Sequence, residues 1–381
     1  MYLFVGSIVL YLCNLIFMFR TASFFISLLF PFVIVNIYFN GEDWINYYSS
    51  SMSIREAVSP EFTFYSFLYL LRTFSLGSYP YAILFFYFFI FFAIYNLFFN
   101  KNHFIFFQYN RFYFLFLSFI IFSLGATLIL EQLRQLLALV IFMYSMSYFL
   151  SNKKNRAYGC MLLSITSHLS VVVLFFCLLI CTRKMNKLSF VLSTFLMCFI
   201  VLLLCLSPEV FLLFKIDAFS FLYEKISRYL SVSTMGFGIL HFLSLLYIFF
   251  YMFTTSDKHV FNFFEFVCER LVFSGTSLYL MSSFLPFLNR LSSYFVVLYA
   301  LLIIMKLHSA KVYRLSFRIV ILLVVCISTG VGYYRNSIAP LSFINLRWDL
   351  VDILVGDFDL NKRFDEVEEN QLRKFQAYGY E

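Results

Sequence analysis

Long apolar runs recur along nearly the whole chain, and runs of that kind admit few structures. In hydrocarbon every backbone N–H and C=O must find its partner inside the protein, so a spanning element is either a helix or part of a closed barrel. Uninterrupted runs of roughly 20 apolar residues suit helices, whereas barrel strands alternate over about ten residues. Of the 381 residues, 62% are hydrophobic and 13% are charged, where a soluble domain carries about 25% charged residues. The reading is an all-α, polytopic integral membrane bundle of about 11–13 spans with short interfacial or re-entrant helices.

Spans are expected near 2–19, 22–38, 79–99, 112–130, 134–150, 157–182, 188–206, 235–253, 268–287, 291–306 and 318–334. Residues 62–75 are too short to cross and read as a helix in the interface. The first run has no basic n-region and no small-residue cleavage site, so it is expected to be a retained span. The organisation expected is one membrane domain, 1–334, followed by a polar tail, 335–381, whose mixed acids and bases suit a solvated extension without chemistry.

Composition also excludes some chemistry. The eight cysteines all sit in apolar segments without a C-x-x-C pair and read as small hydrophobes. Five scattered histidines and no H-E-x-x-H give no sign of a histidine-built metal site, so neither metal nor cofactor is expected. The formal charge of +8 is read as an asymmetry between loops, and no nucleic-acid partner is expected.

Basic residues cluster at Lys153–Arg156, Arg183–Lys187 and Lys306–Arg318, and the positive-inside rule places all three clusters in the cytoplasm. Two of them flank 157–182, which conflicts with a single crossing there. A pair of short helices turning near His168 resolves the conflict; a single crossing with one inverted loop is the alternative. On the favoured reading 39–78, Glu131–Arg134, 207–234, Asn289–Arg290 and the tail face outward.

Against this background the polar spots stand out. In "LILEQLRQLLALV" a helix gathers Glu131, Arg134, Gln135 and Ala138 on one face. They read either as a turn salt bridge snorkelling into headgroups or as an anion-binding arginine at a helix start, and charge at membrane depth favours the second. In "NGEDWINYY", Glu42 and Asp43 sit beside Trp44, Tyr47 and Tyr48. That is an ordinary acidic loop with an aromatic belt, or a sugar site in which a carboxylate takes a hydroxyl proton and rings stack on pyranose faces. His168 lies between hydroxyls in an apolar stretch and reads equally as a satisfied structural group or a functional one. Arg290 and Tyr294 lie before a late span, and Arg55 and Arg72 add cations from the first large loop. Several arginines converging on one side are what a lipid-linked diphosphate needs, because guanidinium grips phosphate oxygens bidentately.

The order of these residues resembles the EpsG-type, Wzy-like polysaccharide polymerases, a group that includes O-antigen polymerases. Gly41, Asp43, Trp44 and Tyr47 match a G-x-D-[YW]-x-x-Y signature, and Glu61 matches a glutamate opening the next segment. Arg134, Gln135 and Ala138 match R-Q-x-x-A, His168 and Ser170 match H-x-S, and Arg290 and Tyr294 match R-x-x-x-Y. The resemblance covers approximately residues 1–310. It implies a metal-independent glycosyltransferase without cofactors, multi-pass in the bacterial cytoplasmic (inner) membrane, with its active site facing the periplasm or exterior. It would join undecaprenyl-diphosphate-linked glycan donor and acceptor into O-antigen (lipopolysaccharide), capsule or exopolysaccharide, among membrane lipids and alongside a flippase and a chain-length regulator.

The catalytic candidates are Asp43, Glu131, Arg134 and His168, with Asp43, Glu131 and His168 competing as general base. The substrate-binding candidates are Glu42, Trp44, Tyr47, Arg72, Gln135, Arg290 and Tyr294, with Arg134 and either Arg290 or Arg72 meeting the diphosphate. Two rival readings remain. A C-type glycosyltransferase using polyprenyl-phosphate sugars would use an acidic pair such as Glu42–Asp43, but here the pair follows two spans rather than one. A flippase for lipid-linked oligosaccharide would share a cationic, aromatic cavity, but the internal repeat common in transporters is not visible.

Overall fold

The computed structural model describes residues 20–39, 44–51, 61–118, 132–210, 223–224, 226–227, 239–253, 263–285, 288, 291, 294–309, 349–366 and 369. All regular structure among the described residues is helical. Three of these helices are long and apolar enough to cross a membrane: Tyr79–Phe99, Leu133–Leu150 and Lys187–Leu206. Shorter apolar helices occupy Ser23–Val35, Val171–Cys181, His241–Phe253 and Val297–Lys306. The expected spans at 2–19 and 318–334, and most of the one at 112–130, lie outside the described residues.

The chain divides into two compact units, Met1–His168 with Ala310–Glu381, and Leu169–Ser309. In the first unit the helices are α1 (Arg20–Tyr38), α2 (Trp44–Ser50), α3 (Phe62–Phe74), α4 (Tyr79–Phe99), α5 (Phe104–Phe107), α6 (Tyr113–Ser118), α7 (Leu133–Leu150) and α8 (Lys154–Ser167). Pro31 sits inside α1, where neighbouring helices rather than water must compensate the lost hydrogen bond. Pro80 opens α4, the position where its missing N–H costs least. The short interfacial helix expected at 62–75 is α3, 13 residues long, with Phe64 and Leu68 buried and Phe62, Leu70 and Phe74 exposed.

Side-chain bonds fix how these helices run. The Tyr38 hydroxyl meets that of Tyr79 at 2.9 Å, and the Tyr95 hydroxyl donates to the Arg20 carbonyl at 3.3 Å, so α1 and α4 are antiparallel. Asn96 donates to the Tyr144 hydroxyl at 3.0 Å and His103 bonds Ser147 at 3.1 Å, so the C-terminal ends of α4 and α7 meet. Ser145 donates to the Ala157 carbonyl at 2.7 Å and Ser164 to the Ala138 carbonyl at 2.6 Å, which pairs α7 with α8 antiparallel along most of their length. One end of this unit therefore gathers Arg20, Lys101, Lys153, Lys154 and Arg156. The opposite end gathers Tyr38, Tyr79, Glu61, Arg134 and His168.

The expectation of a merely solvated tail is corrected for its helical part. Helix α14 (Asp349–Val355) and helical residues 360–366 pack on this second end. Phe358 lies 4.7 Å from the Phe39 ring, Phe364 lies 4.9 Å from Trp44, and Ile353 is fully buried. Spaced apolar residues inside a charged segment are enough to anchor it.

The second unit contains α9 (Val171–Cys181), α10 (Lys187–Leu206), α11 (Ile239–Phe253), α12 (Phe263–Met281) and α13 (Phe295–Ser309). Gly275 of α12 lets Phe295 approach so closely that an added Cβ would stand 2.3 Å from its ring. Buried Arg270 donates to the carbonyls of Arg183 and Met185 at 3.2 and 2.8 Å, which ties the α9–α10 turn to α12. Lys306 pairs with buried Glu265 at 2.8 Å. One end of this unit thus carries Arg183, Lys184, Lys187 and Lys306, while Ser170 and Tyr294 bond at 2.7 Å towards the other.

Candidate functional site

The break expected near His168 is present. His168 caps α8 in extended conformation, φ −159° and ψ 117°, and α9 begins at Val171. Its ring is nearly buried and its Nδ1–H donates to Oε1 of Glu61. Glu61 is the N-cap residue of α3, yet its carboxylate makes no capping bond to its own helix. Instead its second oxygen accepts from Arg134 Nη1 at 2.7 Å. One carboxylate, 1% exposed, thus joins the start of α3, the start of α7 and the end of α8.

Arg134 carries a further bond from Nη1 to the Tyr65 hydroxyl at 3.1 Å. Its guanidinium lies 5.6 and 5.9 Å from the ring centres of Tyr47 and Tyr65, within cation–π range. A cation in the first turn of α7 opposes the helix dipole, so Glu61 and the two rings offset a position that is otherwise unfavourable. The Arg134 side chain keeps 27% of its surface accessible while Glu61 keeps 2%. The charge that reaches the outside of the cluster is therefore the guanidinium.

Gln135, one residue on, places Nε2 at 3.3 Å from His168 Nε2. In the neutral ring, Nδ1–H goes to Glu61 and Nε2 accepts from the Gln135 amide. Should Nε2 gain a proton, Gln135 can turn its amide and present oxygen instead. The Thr63 and Thr166 hydroxyls meet at 2.7 Å beside the cluster and clamp α3 to α8.

The structure therefore brings together Arg134, Gln135, His168 and Tyr47 among the candidates. Glu61 was legible only as a family signature, and Tyr65 went unnoticed although it lies at i+4 from Glu61. Glu42, Asp43, Glu131 and Arg290 lie outside the described residues. Arg72 does not join the cluster. It sits in the last turn of α3, about 16 Å from Glu61 at 1.5 Å per residue, and bonds Ser51 and the Gly77 carbonyl at 2.8 and 3.1 Å. Trp44 is buried against Phe39 and Phe364. Tyr294 is buried in the second unit, bonded to Ser170. Among the described residues no group of histidine, cysteine and acidic side chains is arranged to hold a metal ion.

With this geometry in view, comparison of the sequence decides the family: the pattern of the EpsG family matches residues 2–347. The chain belongs to the EpsG family. No curated protein and no solved structure matches it. EpsG membership, together with the apolar helices, makes this a membrane protein with a polysaccharide-polymerase-like role. The matched region contains Glu61, Arg134, Gln135 and His168 and ends just before α14.

Proposed function

We propose that this EpsG-family protein polymerises undecaprenyl-diphosphate-linked repeat units into surface polysaccharide, working at the outer face of the bacterial cytoplasmic membrane. The observation that carries the reading is the Glu61 carboxylate shared between Arg134 and His168, at the end of the first unit opposite its basic cluster. The positive-inside rule, applied to each unit by itself, puts Lys153–Arg156 and Arg183–Lys187 in the cytoplasm. Arg134 stands 16 residues before the end of α7, about 24 Å along the axis and so near the far boundary of a core about 30 Å thick. A lipid diphosphate lies at that depth.

The reaction exchanges one bond at the anomeric carbon. An acceptor hydroxyl forms the new C–O bond, the bond to the diphosphate oxygen breaks, and the diphosphate leaves with the electron pair. His168 Nε2, held by Glu61 through Nδ1, takes the hydroxyl proton. Glu61 and Arg134 cancel in charge beforehand, so the proton adds positive charge to the cluster as negative charge appears on the leaving group. Arg134, with its accessible guanidinium and the first N–H groups of α7, stabilises that diphosphate electrostatically. The leaving group is already good, so positioning and charge neutralisation suffice. Asp43 and Glu131 stay in the proposal as alternative bases, and Arg290 as a second phosphate ligand.

Surface glycan from cells lacking the protein tests this reading. Loss of the polymer ladder with retention of single-unit glycan supports a polymerase. Loss of all lipid-linked glycan outside the membrane would point to a flippase instead.

A further inference from the structure

A concavity lies at the far end of α3 from Glu61. It has a volume of about 150 Å3 and is bounded by the α3–α4 turn on one side and the C-terminal segment on the other. Tyr48, Arg72, Ser78 and Tyr81 line the first wall; Gly356 and Phe358 line the second. Gly77 and Gly356, both at the rim, hold φ of +85° and +86°, with nothing within 4 Å of where a Cβ would stand. The rim is thus open at both glycines, where a side chain would otherwise stand.

This lining has a recognisable chemical character. Tyrosine rings offer flat apolar faces, while the Ser78 hydroxyl and the Arg72 guanidinium offer hydrogen bonds. The Ser78 side chain makes no capping bond to α4. Arg72 is held in place by Ser51 and the Gly77 carbonyl and lies 5.3 Å from the Tyr48 ring centre, so it acts as a fixed donor. The space is far below the roughly 300–1,000 Å3 of a site for a drug-sized ligand. It suits one sugar ring.

We infer that this cavity holds a single pyranose residue of the glycan, set apart from the Glu61–Arg134–His168 cluster by the length of α3. This rests on the polymerase reading and adds to it a fixed spacing: about 16 Å along the helix axis separates Glu61 from Arg72, enough for several linked sugar rings between the held residue and the reacting one. The second wall comes from residues beyond 347, where the family match ends. Tyr81 ties the two walls together by donating to the Leu354 carbonyl at 3.3 Å. Recognition at this cavity therefore belongs to this chain's own C-terminal segment, which makes it a determinant of which sugar is accepted.

The test is saturation-transfer NMR on the full chain in nanodiscs, with the methyl pyranosides of glucose, galactose, N-acetylglucosamine and glucuronic acid, and with inorganic phosphate as competitor. At least one glycoside is expected to bind the unaltered protein and Arg134→Ala equally. Tyr81→Ala should weaken that binding by about tenfold, the order expected for a lost aromatic face, whereas Tyr81→Phe keeps it within about twofold. Binding that disappears in Arg134→Ala, that ignores Tyr81→Ala, or that phosphate displaces would overturn the assignment, as would no binding by any of the four. The polymerase reading fails by another route, through unchanged glycan length in Arg134→Ala cells, so the two outcomes can be told apart.

Discussion

Glu61 and His168, 107 residues apart, share a hydrogen bond in which the carboxylate accepts the imidazole Nδ1–H, while the same carboxylate holds Arg134. Replacing Glu61 by Gln removes the charge that both partners use. The amide's single oxygen cannot stand at both carboxylate positions to accept from His168 and from Arg134. The imidazole loses the carboxylate that would stabilise its protonated form, and polymerisation should fall by about a hundredfold, the lower end of what a positioned base contributes. The half-buried arginine also loses its counter-ion, so the protein should be less stable to heat in detergent. The double change Glu61→Gln with Arg134→Gln should regain stability because both charges vanish together, and it should stay inactive. Recovery of the glycan ladder in the double variant would make the pair structural only.

The proposed sidedness rests on the basic clusters. Asn152, in the turn between α7 and α8, and Asn186, before α10, both border basic clusters. Cysteines introduced at either position should be protected from an impermeant thiol reagent in intact cells, whereas a cysteine at the exposed Leu76, in the turn after α3, should react. Labelling of Asn152→Cys and Asn186→Cys from opposite faces would refute the turn at His168 as a re-entrant tip.

Two glycines separate packing from propensity. Gly275 has no room, since a Cβ would meet buried Phe295 at 2.3 Å. Gly275→Ala should therefore cost about 1–3 kcal/mol, as overpacking does, read as a lower melting temperature. Gly159, inside α8, faces open space, and Gly159→Ala should leave stability unchanged or raise it by up to about 1 kcal/mol. Equal effects at both positions would show that close α12–α13 packing does not matter.

Much of this was legible in the sequence because lipid simplifies the code. Helices α4 and α7 follow directly from uninterrupted apolar runs, α3 from a run too short to cross, and the break at His168 from polar residues between two basic clusters. Arg134 and Gln135 were visible because polar side chains are conspicuous in such a background. What stayed hidden depends on long-range pairing. Glu131 is the nearest acid to Arg134 in the sequence, but the described partner is Glu61, 73 residues away. Arg72 looked like a fellow phosphate ligand until the length of α3 set it apart from Arg134. The docking of residues 349–366 rests on a few apolar residues, Ile353, Phe358 and Phe364 among them, in a charged segment, too sparse to register as a pattern.

The central claim is that Arg134 neutralises the departing lipid diphosphate while the Glu61–His168 pair removes the acceptor's proton. The direct measurement is polymerisation by the purified full chain in vesicles, using a synthetic polyprenyl-diphosphate-linked repeat unit and counting lipid diphosphate released per glycosidic bond. The unaltered protein should release one diphosphate for each bond and build a ladder. Arg134→Lys, which keeps the charge without the fork, should be slower by at least about tenfold, and Arg134→Ala by about a hundredfold or more. Ladders and release rates from Arg134→Ala equal to those of the unaltered protein would contradict the account.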